Sequence, residues 1–171
     1  MENKFFWLRQ VRPAIIGSFI KHFLGIKRRV VETRIGRFYI DPVSNFGYQV
    51  QSKNGYEPEM VSSLERILNE GDIFVDVGSN EGYFTILASK LVGSSGIVIG
   101  IEPQSRLQSI LFRNIYENQA FNTVIIQVAI SDTNGATNIW LSPDMNTGSS
   151  GLFPTTKYKT KKETVLMTTL S

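Results

Sequence analysis

The sequence predicts an α/β fold of the Rossmann-like type, with a parallel sheet in the strand order 3-2-1. Two observations lead to this fold class. Short apolar runs alternate with stripes of helical spacing between residues 58 and 130, and a glycine-containing turn follows the first apolar run. Crossovers between parallel strands are right-handed and place successive strands side by side, which predicts the strand order.

The three core strands are predicted over residues 73–77, 97–101 and 124–130. Each is a short and nearly continuous apolar run, which is typical of parallel strands buried on both faces. We therefore expect these strands to form the centre of the domain.

Three helices are predicted around these strands, because their apolar residues recur at helical spacing. The first begins at Pro58 and ends before Gly71, which fits the preference for proline in the first turn and glycine just past the end. The second covers residues 83–92 and stops at Gly93. The apolar stripes are Met60, Val61, Leu64, Ile67 and Leu68 in the first helix, Phe84, Leu87, Ala88 and Leu91 in the second, and Leu107, Ile110, Leu111, Ile115 and Tyr116 in the third.

Further strands are predicted outside this unit. Residues 34–41 alternate polar and apolar side chains as a half-buried strand does, and Asp41-Pro42 ends it. A turn-rich stretch without regular structure is expected from there to Gly55. After residue 130, strands are expected over residues 137–141 and 164–170.

Residues 1–33 are predicted to form a basic amphipathic helical segment, separate from a partial Rossmann-like domain over residues 34–171. This segment either packs on its own domain or a partner, or lies on an anionic membrane surface as a peripheral contact. The apolar stretch at residues 13–20 is shorter than the roughly 20 residues that span a bilayer. A cytoplasmic location is expected, with membrane association left open. The apolar stripe of this segment comprises Ile15, Ile16, Phe19, Ile20, Phe23 and Leu24.

The composition disfavours several classes of catalytic, metal-binding and nucleic-acid-binding site. Of the 171 residues, 42% are hydrophobic, which suffices for a core. The chain has no cysteine and one histidine, His22, so disulfides, thiolate metal sites, cysteine nucleophiles and Ser-His-Asp triads are disfavoured and no metal site is predicted. Basic residues are concentrated at the two ends and the middle is acidic, so no nucleic-acid partner is expected.

The turn after residue 77 is typical of a nucleotide-binding loop. Gly78 and Gly82 allow a sharp turn and close approach of a ligand to the first backbone N–H groups of the next helix. Asn80 stands where a dinucleotide fingerprint has its middle glycine, and Glu81 beside it would repel a diphosphate. S-adenosylmethionine brings an ammonium and a sulfonium, so acids are tolerated there, and we expect Asp76 and Asn80 near them.

Glu102 ends the second predicted strand at the position where an acid binds ribose hydroxyls in such folds. A carboxylate there accepts hydrogen bonds from both the 2′- and the 3′-hydroxyl. The alternative is a structural glycine turn with an unrelated surface acid.

These segments together resemble the FkbM family of methyltransferases over residues 56–170. The resemblance lies in GDIFVDVGSNEGYFT at residues 71–85, IEPQ at residues 101–104 with Asn114 and Asn118 downstream, and AISDTNG at residues 129–135. It implies a class I fold and methyl transfer from S-adenosyl-L-methionine to a hydroxyl of a sugar or natural product, so the expected partner is a small-molecule or glycan acceptor.

The resemblance also implies a set of cofactor contacts. Residues of the first strand and its loop would hold the methionine part, Glu102 the ribose, and residues after the second and third strands would border the adenine. Tyr56-Glu57, and Asn146 with Gly148-Ser149-Ser150, also resemble features of the family, without an assigned role. The predicted cofactor residues are Glu57, Asp76, Gly78, Ser79, Asn80, Gly82, Tyr83, Glu102, Pro103, Ala129, Ile130 and Ser131.

The sequence departs from the family pattern at its end. A fourth strand and the segments that carry catalytic residues in the family have no counterpart before Ser171, so the catalytic residues are unknown. We expect a truncated chain, with the N-terminal half of the fold only and a bare apolar strand edge on which a partner could pair.

Two other functions remain open at this point. One is a non-catalytic binding or interaction module on a half Rossmann scaffold. The other is an NAD-dependent oxidoreductase, which the asparagine at position 80 disfavours.

Overall fold

A computed structural model describes residues 14–153 and 161–170 of the chain, which form five helices and eight strands in three sheets. The helices are α1 (Ala14–Phe23), α2 (Asn45–Val50), α3 (Pro58–Ile67), α4 (Tyr83–Val92) and α5 (Ser105–Glu117). The strands are β1 (Arg29–Glu32), β2 (Arg37–Ile40), β3 (Ile73–Val77), β4 (Ile97–Ile101), β5 (Thr123–Ile126), β6 (Ala129–Ile130), β7 (Gly135–Leu141) and β8 (Lys161–Thr168).

The central sheet is parallel and has the predicted neighbours. β3 pairs with β4, and β4 pairs with β5, with Ile73 opposite Ile97 and Val98 opposite Thr123. The predicted 3-2-1 order is therefore confirmed. The bounds of β3, β4 and α4 also agree with those predicted, because each element is delimited by a glycine or a proline.

One face of this sheet is uncovered within the described residues. Phe74 packs against the helices, whereas the alternating side chains of the same strand point to the other side, as the pleat requires. The expectation that these strands are buried on both faces is therefore wrong for this part of the chain. The exposed side chains are Ile73, Val75, Val77, Ile97, Val124 and Ile126.

The third predicted strand, at residues 124–130, is in fact two strands in different sheets. β5 ends at Ile126, and Ala129 then pairs with Met167 of β8 in a second sheet with the order β6-β8-β7. β7 and β8 form its antiparallel pair, and β8 begins and ends earlier than the predicted strand at residues 164–170. The competing partner β8 explains why the apolar run does not stay in one sheet.

The strand predicted at residues 34–41 is shorter and belongs to a hairpin. β1 and β2 pair antiparallel with Val31 opposite Phe38, and the N–H and hydroxyl of Thr33 both donate to the carbonyl of Gly36 to close the turn. β1 was not predicted, because charged residues at both of its ends obscure a four-residue strand. The boundary predicted after residue 33 falls in the turn of this hairpin.

Part of the stretch expected to lack regular structure forms the short helix α2. Ser44 caps its N-terminus, with its hydroxyl accepting a hydrogen bond from the N–H of Gly47 at 2.9 Å. Phe46 and Val50, four residues apart, point into the core. The serine at the N-cap, followed by two apolar residues four positions apart, could have predicted this helix from the sequence.

The amphipathic segment predicted over residues 1–33 is helical only over α1, since its last part forms β1, and its first 13 residues lie outside the described residues. Phe19 and Phe23 are 70% and 81% exposed, so they do not pack on the domain. On the opposite side, Lys21 forms an ion pair with the buried Asp41, which ties α1 to the body. Among the helices of the described ranges, none is long and apolar enough to cross a membrane.

The main core lies between the N-terminal hairpin and the helices α3, α4 and α5. The stripes predicted for these helices supply five of its thirteen residues, whereas Ile67 and Tyr116 of those stripes are exposed, at 66% and 73%. The cluster comprises Ile35, Phe38, Ile40, Phe46, Val50, Val61, Leu64, Tyr83, Ile86, Leu87, Leu111, Ile115 and Ala120.

Asn114 of α5 and Asn118, which caps the end of this helix, take the place of a strand partner at the outer edge of β2. Asn114 accepts a hydrogen bond from the N–H of Tyr39 at 2.6 Å, and Asn118 accepts from the N–H of Arg37 at 2.9 Å. Asn118 also donates to the carbonyl of Arg37. These side chains provide hydrogen-bond partners for backbone groups of β2 that would otherwise be unpaired.

We expect Gly36→Ala to destabilise the protein by roughly 1–3 kcal/mol, because the added methyl group overpacks this contact. A Cβ at residue 36 would lie 2.0 Å from Oδ1 of Asn118 and 2.9 Å from Nζ of Lys90. Urea unfolding of the variant measures the loss. Gly151→Ala is the matched control, since its Cβ would meet no atom within 4 Å, and equal losses in the two variants would contradict the prediction.

Candidate functional site

A cleft of about 440 Å³ opens at the carboxyl ends of β3 and β4. This is where open parallel sheets bind ligands. Eight of the twelve predicted cofactor residues line it: Glu57, Asp76, Gly78, Ser79, Asn80, Tyr83, Glu102 and Pro103.

The loop between β3 and α4 forms the floor of the cleft. The N–H groups of Gly78 and Ser79 both donate to the carbonyl of Ile101, which fixes the loop against the end of β4. Gly82 has a φ of 88° and a Cβ there would lie 2.6 Å from Leu111, so the fold requires glycine at this position.

Glu102 connects this loop to the second strand. Its two carboxylate oxygens accept hydrogen bonds from the N–H of Asn80 at 2.8 Å and from the N–H of Gln104 at 2.9 Å. The side chain is buried, and this burial raises the pKa of Glu102 even though the backbone donors favour its ionised form. The carboxylate is thus held rigidly at the edge of the cleft.

Asp76 lies at the end of β3 on the same side of the cleft. Its Oδ2 accepts a hydrogen bond from the hydroxyl of Thr85 at 2.5 Å. Burial raises the pKa of Asp76, and the Thr85 hydroxyl and N–H partly offset that effect. The buried Glu102 and the partly buried Asp76 therefore face one cleft from the ends of neighbouring strands.

Glu81 lines the cleft, but its carboxylate is paired with Arg28, contrary to the reason given for excluding a diphosphate. Its carboxylate is fully buried and forms a two-point ion pair with Arg28, with Nη1 to Oε2 at 2.7 Å and Nη2 to Oε1 at 3.2 Å. Burial raises the pKa of Glu81 despite this partner. Because the pair is neutral overall, repulsion by Glu81 does not discriminate between ligands.

Backbone strain is concentrated at the cleft. Glu57 and Asn80 have φ values of 42° and 51°, in the left-handed region that few residues other than glycine adopt. Such strain persists where the surroundings enforce it and is common at functional sites. Both residues line the cleft, from the start of α3 and from the loop.

Aromatic rings support the cleft from the core. The Tyr83 ring centroid lies 5.2 Å from those of Phe38 and Tyr56. Because Tyr83 is only 6% exposed, it offers a ligand little surface and chiefly packs beneath the wall of the cleft. Burial, followed by the charge of Glu57 and a hydrogen bond to it, raises the pKa of Tyr56 to about 12.

A segment distant in sequence closes the cleft from above. The Thr147 hydroxyl donates to Oδ1 of Asn80 at 3.0 Å, and Gly148 and Ser150 line the cleft. A Cβ at Gly148 would lie 3.1 Å from Nδ2 of Asn80. Gly148, which had no assigned role in the sequence, and Thr147 beside it therefore lie directly against Asn80 of the nucleotide-type loop.

Four of the predicted cofactor residues do not line the cleft. Gly82 supports α4, and Ala129 packs with Ile139 in the second sheet. Ile130 and Ser131 follow it there. Sequence reasoning missed Phe46 because α2 was not foreseen. The lining residues outside the predicted set are Phe46, Tyr56, Met60, Val77, Glu81, Phe84, Gln104, Gly148 and Ser150.

A second and smaller cleft, of about 190 Å³, adjoins the first. It lies between α2 and the short 3-10 segment Asp144–Ser149. Five residues line both clefts: Phe46, Tyr56, Glu57, Asn80 and Gly148.

The comparison with protein families agrees with this arrangement. The model of the protein-L-isoaspartate(D-aspartate) O-methyltransferase family matches residues 13–137. The chain belongs to this family. Its cofactor is S-adenosylmethionine, so the predicted class of methyltransferase and the predicted cofactor are confirmed. The family that the comparison shows is not the FkbM family.

The chain matches only part of the length of its individual relatives. Protein-L-isoaspartate O-methyltransferase 1 of Arabidopsis thaliana is 31% identical over 96 residues, which are 56% of this chain and 42% of that protein. The chain thus spans less than half of this family member.

Solved structures also match. A SAM dependent methyltransferase from Aquifex aeolicus is 26% identical with a TM-score of 0.37, over 42% of this chain and 38% of that one. A Plasmodium falciparum protein described as a protein-L-isoaspartate O-methyltransferase, in complex with S-adenosyl-L-homocysteine, is 26% identical with a TM-score of 0.36, over 41% and 38%.

We expect Arg28→Met to lower the free energy of unfolding by roughly 3–5 kcal/mol, because it leaves Glu81 buried without its partner. Adding Glu81→Leu should recover most of this loss, since it removes the uncompensated charge. Chemical denaturation of the single and double variants measures both effects.

Arg34→Met is the control for this comparison. Arg34 forms an exposed ion pair with Glu65, and exposed pairs contribute roughly 0–1 kcal/mol. A double variant as unstable as Arg28→Met would show that the buried charge is not the cause.

The buried acids also predict a pH dependence. The pKa of Glu102 in the folded state is above its ordinary value of 4.5, so the folded protein retains a proton that the unfolded chain has released. The free energy of unfolding should therefore fall as the pH rises above about 4.5, through the folded-state pKa. The fall should be smaller in Glu102→Gln than in the wild type, and urea unfolding between pH 4.5 and 7.5 tests it. Equal slopes would contradict this assignment.

Proposed function

We propose that this chain carries the cofactor-binding part of an S-adenosylmethionine-dependent O-methyltransferase. The cofactor would bind in the 440 Å³ cleft. The main observation behind this proposal is that the Glu102 carboxylate accepts hydrogen bonds from the N–H groups of Asn80 and Gln104. It fixes a carboxylate at the end of β4 directly beside the glycine loop that follows β3.

The lining of the cleft fits this cofactor. Glu102 would accept hydrogen bonds from the ribose hydroxyls, and Asp76 would face the ammonium of the methionine part. Gly78 would leave space for the loop backbone to approach the cofactor, Asn80 would contact its methionine part, and Pro103 would lie beside the adenine. The volume is within the roughly 300–1,000 Å³ of small-molecule sites.

The bound cofactor supplies an electrophilic methyl group, so the protein has mainly to position the acceptor in line with it. The residues of this chain contribute to that positioning by holding the loop after β3 rigid beneath the cofactor. The loop is held by the carbonyl of Ile101 and the carboxylate of Glu102 at the end of β4, and by the hydroxyl of Thr147 in the 3-10 segment.

An isoaspartyl carboxyl group of a protein is one acceptor, and the name of the family supports it. A hydroxyl of a sugar or natural product is the second, and the resemblance to the FkbM family supports it. The two differ in charge, because the first acceptor is an anion and the second is neutral. The lining of the site can therefore distinguish them.

Glu102→Gln tests the cofactor site. We expect it to weaken S-adenosylhomocysteine binding roughly tenfold to hundredfold, because hydrogen bonds to charged groups contribute roughly 1.5–3 kcal/mol. Isothermal titration calorimetry on the full chain measures the dissociation constant. Glu65→Gln, on the exposed face of α3, is the control and should bind like the wild type.

Two results would contradict the proposal. One is a wild-type chain that binds NAD in place of S-adenosylhomocysteine, which would favour an oxidoreductase. The other is a folded wild-type chain that binds neither, which would favour a non-catalytic module.

A further inference from the structure

The side-chain amide of Asn80 lies at the junction of the two clefts, since this residue lines both of them. Its Oδ1 accepts a hydrogen bond from the Thr147 hydroxyl at 3.0 Å. Among the described residues, none accepts a hydrogen bond from its Nδ2. The amide therefore offers a ligand a hydrogen-bond donor, and its acceptor is already engaged.

Gly148 leaves this donor uncovered. A Cβ at residue 148 would lie 3.1 Å from Nδ2 of Asn80. That distance is shorter than the roughly 3.5–4.0 Å at which non-bonded heavy atoms pack best. Because residue 148 has no side chain, the residue directly after Thr147 does not shield the donor from a ligand.

The larger cleft offers the carboxylate of a ligand no cationic side chain among its described lining residues. Four acids line it, namely Glu57, Asp76, Glu81 and Glu102, and none of these lining residues is a lysine, arginine or histidine. The methionine part of S-adenosylmethionine carries a carboxylate as well as an ammonium. Since Asp76 would face the ammonium, the carboxylate needs neutral donors, and Nδ2 of Asn80 is one.

Two hydrogen bonds determine which end of the Asn80 amide faces the cleft. The backbone N–H of Asn80 donates to Glu102 at 2.8 Å, which fixes the position of this residue. The amide can still turn about its terminal bond, which exchanges Oδ1 and Nδ2, and the Thr147 hydroxyl selects one of these orientations. In the other orientation Oδ1 would face the cleft and repel a carboxylate.

The 3-10 segment itself is held by Arg106 and does not depend on the Thr147 hydroxyl alone. Nη1 of Arg106 donates to the carbonyl of Ser142 at 2.8 Å, and Nη2 donates to the hydroxyl of Ser150 at 3.1 Å. One guanidinium thus binds residues on both sides of the segment. The hydroxyl of Ser142 also donates to the carbonyl of Asn146 within it. Removal of the Thr147 hydroxyl should therefore leave the segment in place.

We propose that Thr147 is a positioning residue for the cofactor. Its hydroxyl holds the Asn80 amide with Nδ2 towards the cleft, and Nδ2 donates a hydrogen bond to the carboxylate of S-adenosylmethionine. This inference rests on the proposed function, since it takes the larger cleft as the cofactor site. It gives the 3-10 segment a role in selecting a ligand whose amino acid end is intact.

Thr147→Val tests this role, because valine has the shape of threonine without the hydroxyl. The two ligands are S-adenosylhomocysteine and decarboxylated S-adenosylhomocysteine, which keeps the ammonium and lacks only the carboxylate. The wild type should bind the first about tenfold more tightly, as expected for one hydrogen bond to a charged group. Thr147→Val should weaken binding of the first about tenfold and change binding of the second less than about twofold. Isothermal titration calorimetry on the full chain measures the dissociation constants.

Three further variants make the test specific. Thr147→Ser keeps the hydroxyl and should bind both ligands like the wild type. Thr147→Ala lacks the hydroxyl and adds no bulk, so it should repeat the pattern of Thr147→Val. Thr164→Val is the matched control, because it removes a hydrogen bond of the same kind, from the Thr164 hydroxyl to Oδ1 of Asn138 at 2.9 Å, outside both clefts. It should bind both ligands like the wild type.

The outcomes separate the two proposals. A folded wild-type chain that does not bind S-adenosylhomocysteine overturns the proposed function. A wild-type chain that binds both ligands equally tightly overturns only the contact with the carboxylate. If Thr147→Val weakens the binding of both ligands equally, or of neither, the hydroxyl does not act through the carboxylate and the positioning role of Thr147 is wrong.

Discussion

The buried ion pair between Arg28 and Glu81 is the constraint on which the rest of the structure depends. Glu81 belongs to the loop that forms the proposed cofactor site, and Arg28 immediately precedes the N-terminal hairpin. A buried carboxylate is tolerated only when its charge is compensated and its oxygens are hydrogen-bonded. The loop can therefore take its shape only when the hairpin is in place. Asn114 reinforces the link, because it donates to the carbonyl of Glu81 and accepts from the N–H of Tyr39.

The two clefts are likewise formed by segments that are distant in sequence. The loop after β3 contributes Asn80, α2 contributes Phe46, and the 3-10 segment contributes Thr147. No single element contains the site, so its precision depends on the contacts between them. The strain at Asn80 is consistent with this, since Glu102 binds its N–H and Thr147 its side chain.

The sequence was most informative where local signals and tertiary packing agree. β3, β4 and α4 lie as predicted because Gly71, Gly93 and Pro103 delimit apolar runs whose period is unambiguous. Reasoning from local patterns failed where a distant partner decides the structure, as when β8 draws Ala129 into a second sheet. Glu102 could be foreseen from its place at the end of a strand. The pairing of Glu81 could not, because Arg28 lies 53 residues away and no periodicity connects them.

The asparagine contacts at the edge of β2 have a consequence for biosynthesis. Tyr39 and Asn114 are 75 residues apart, and the other backbone pairing of this edge spans 81 residues. Ribosomes add about 5–20 residues per second, so the hairpin waits about 4–16 s for its partner helix to be made. During that interval its outer edge has unpaired backbone groups, which is the period when a nascent chain most needs a chaperone.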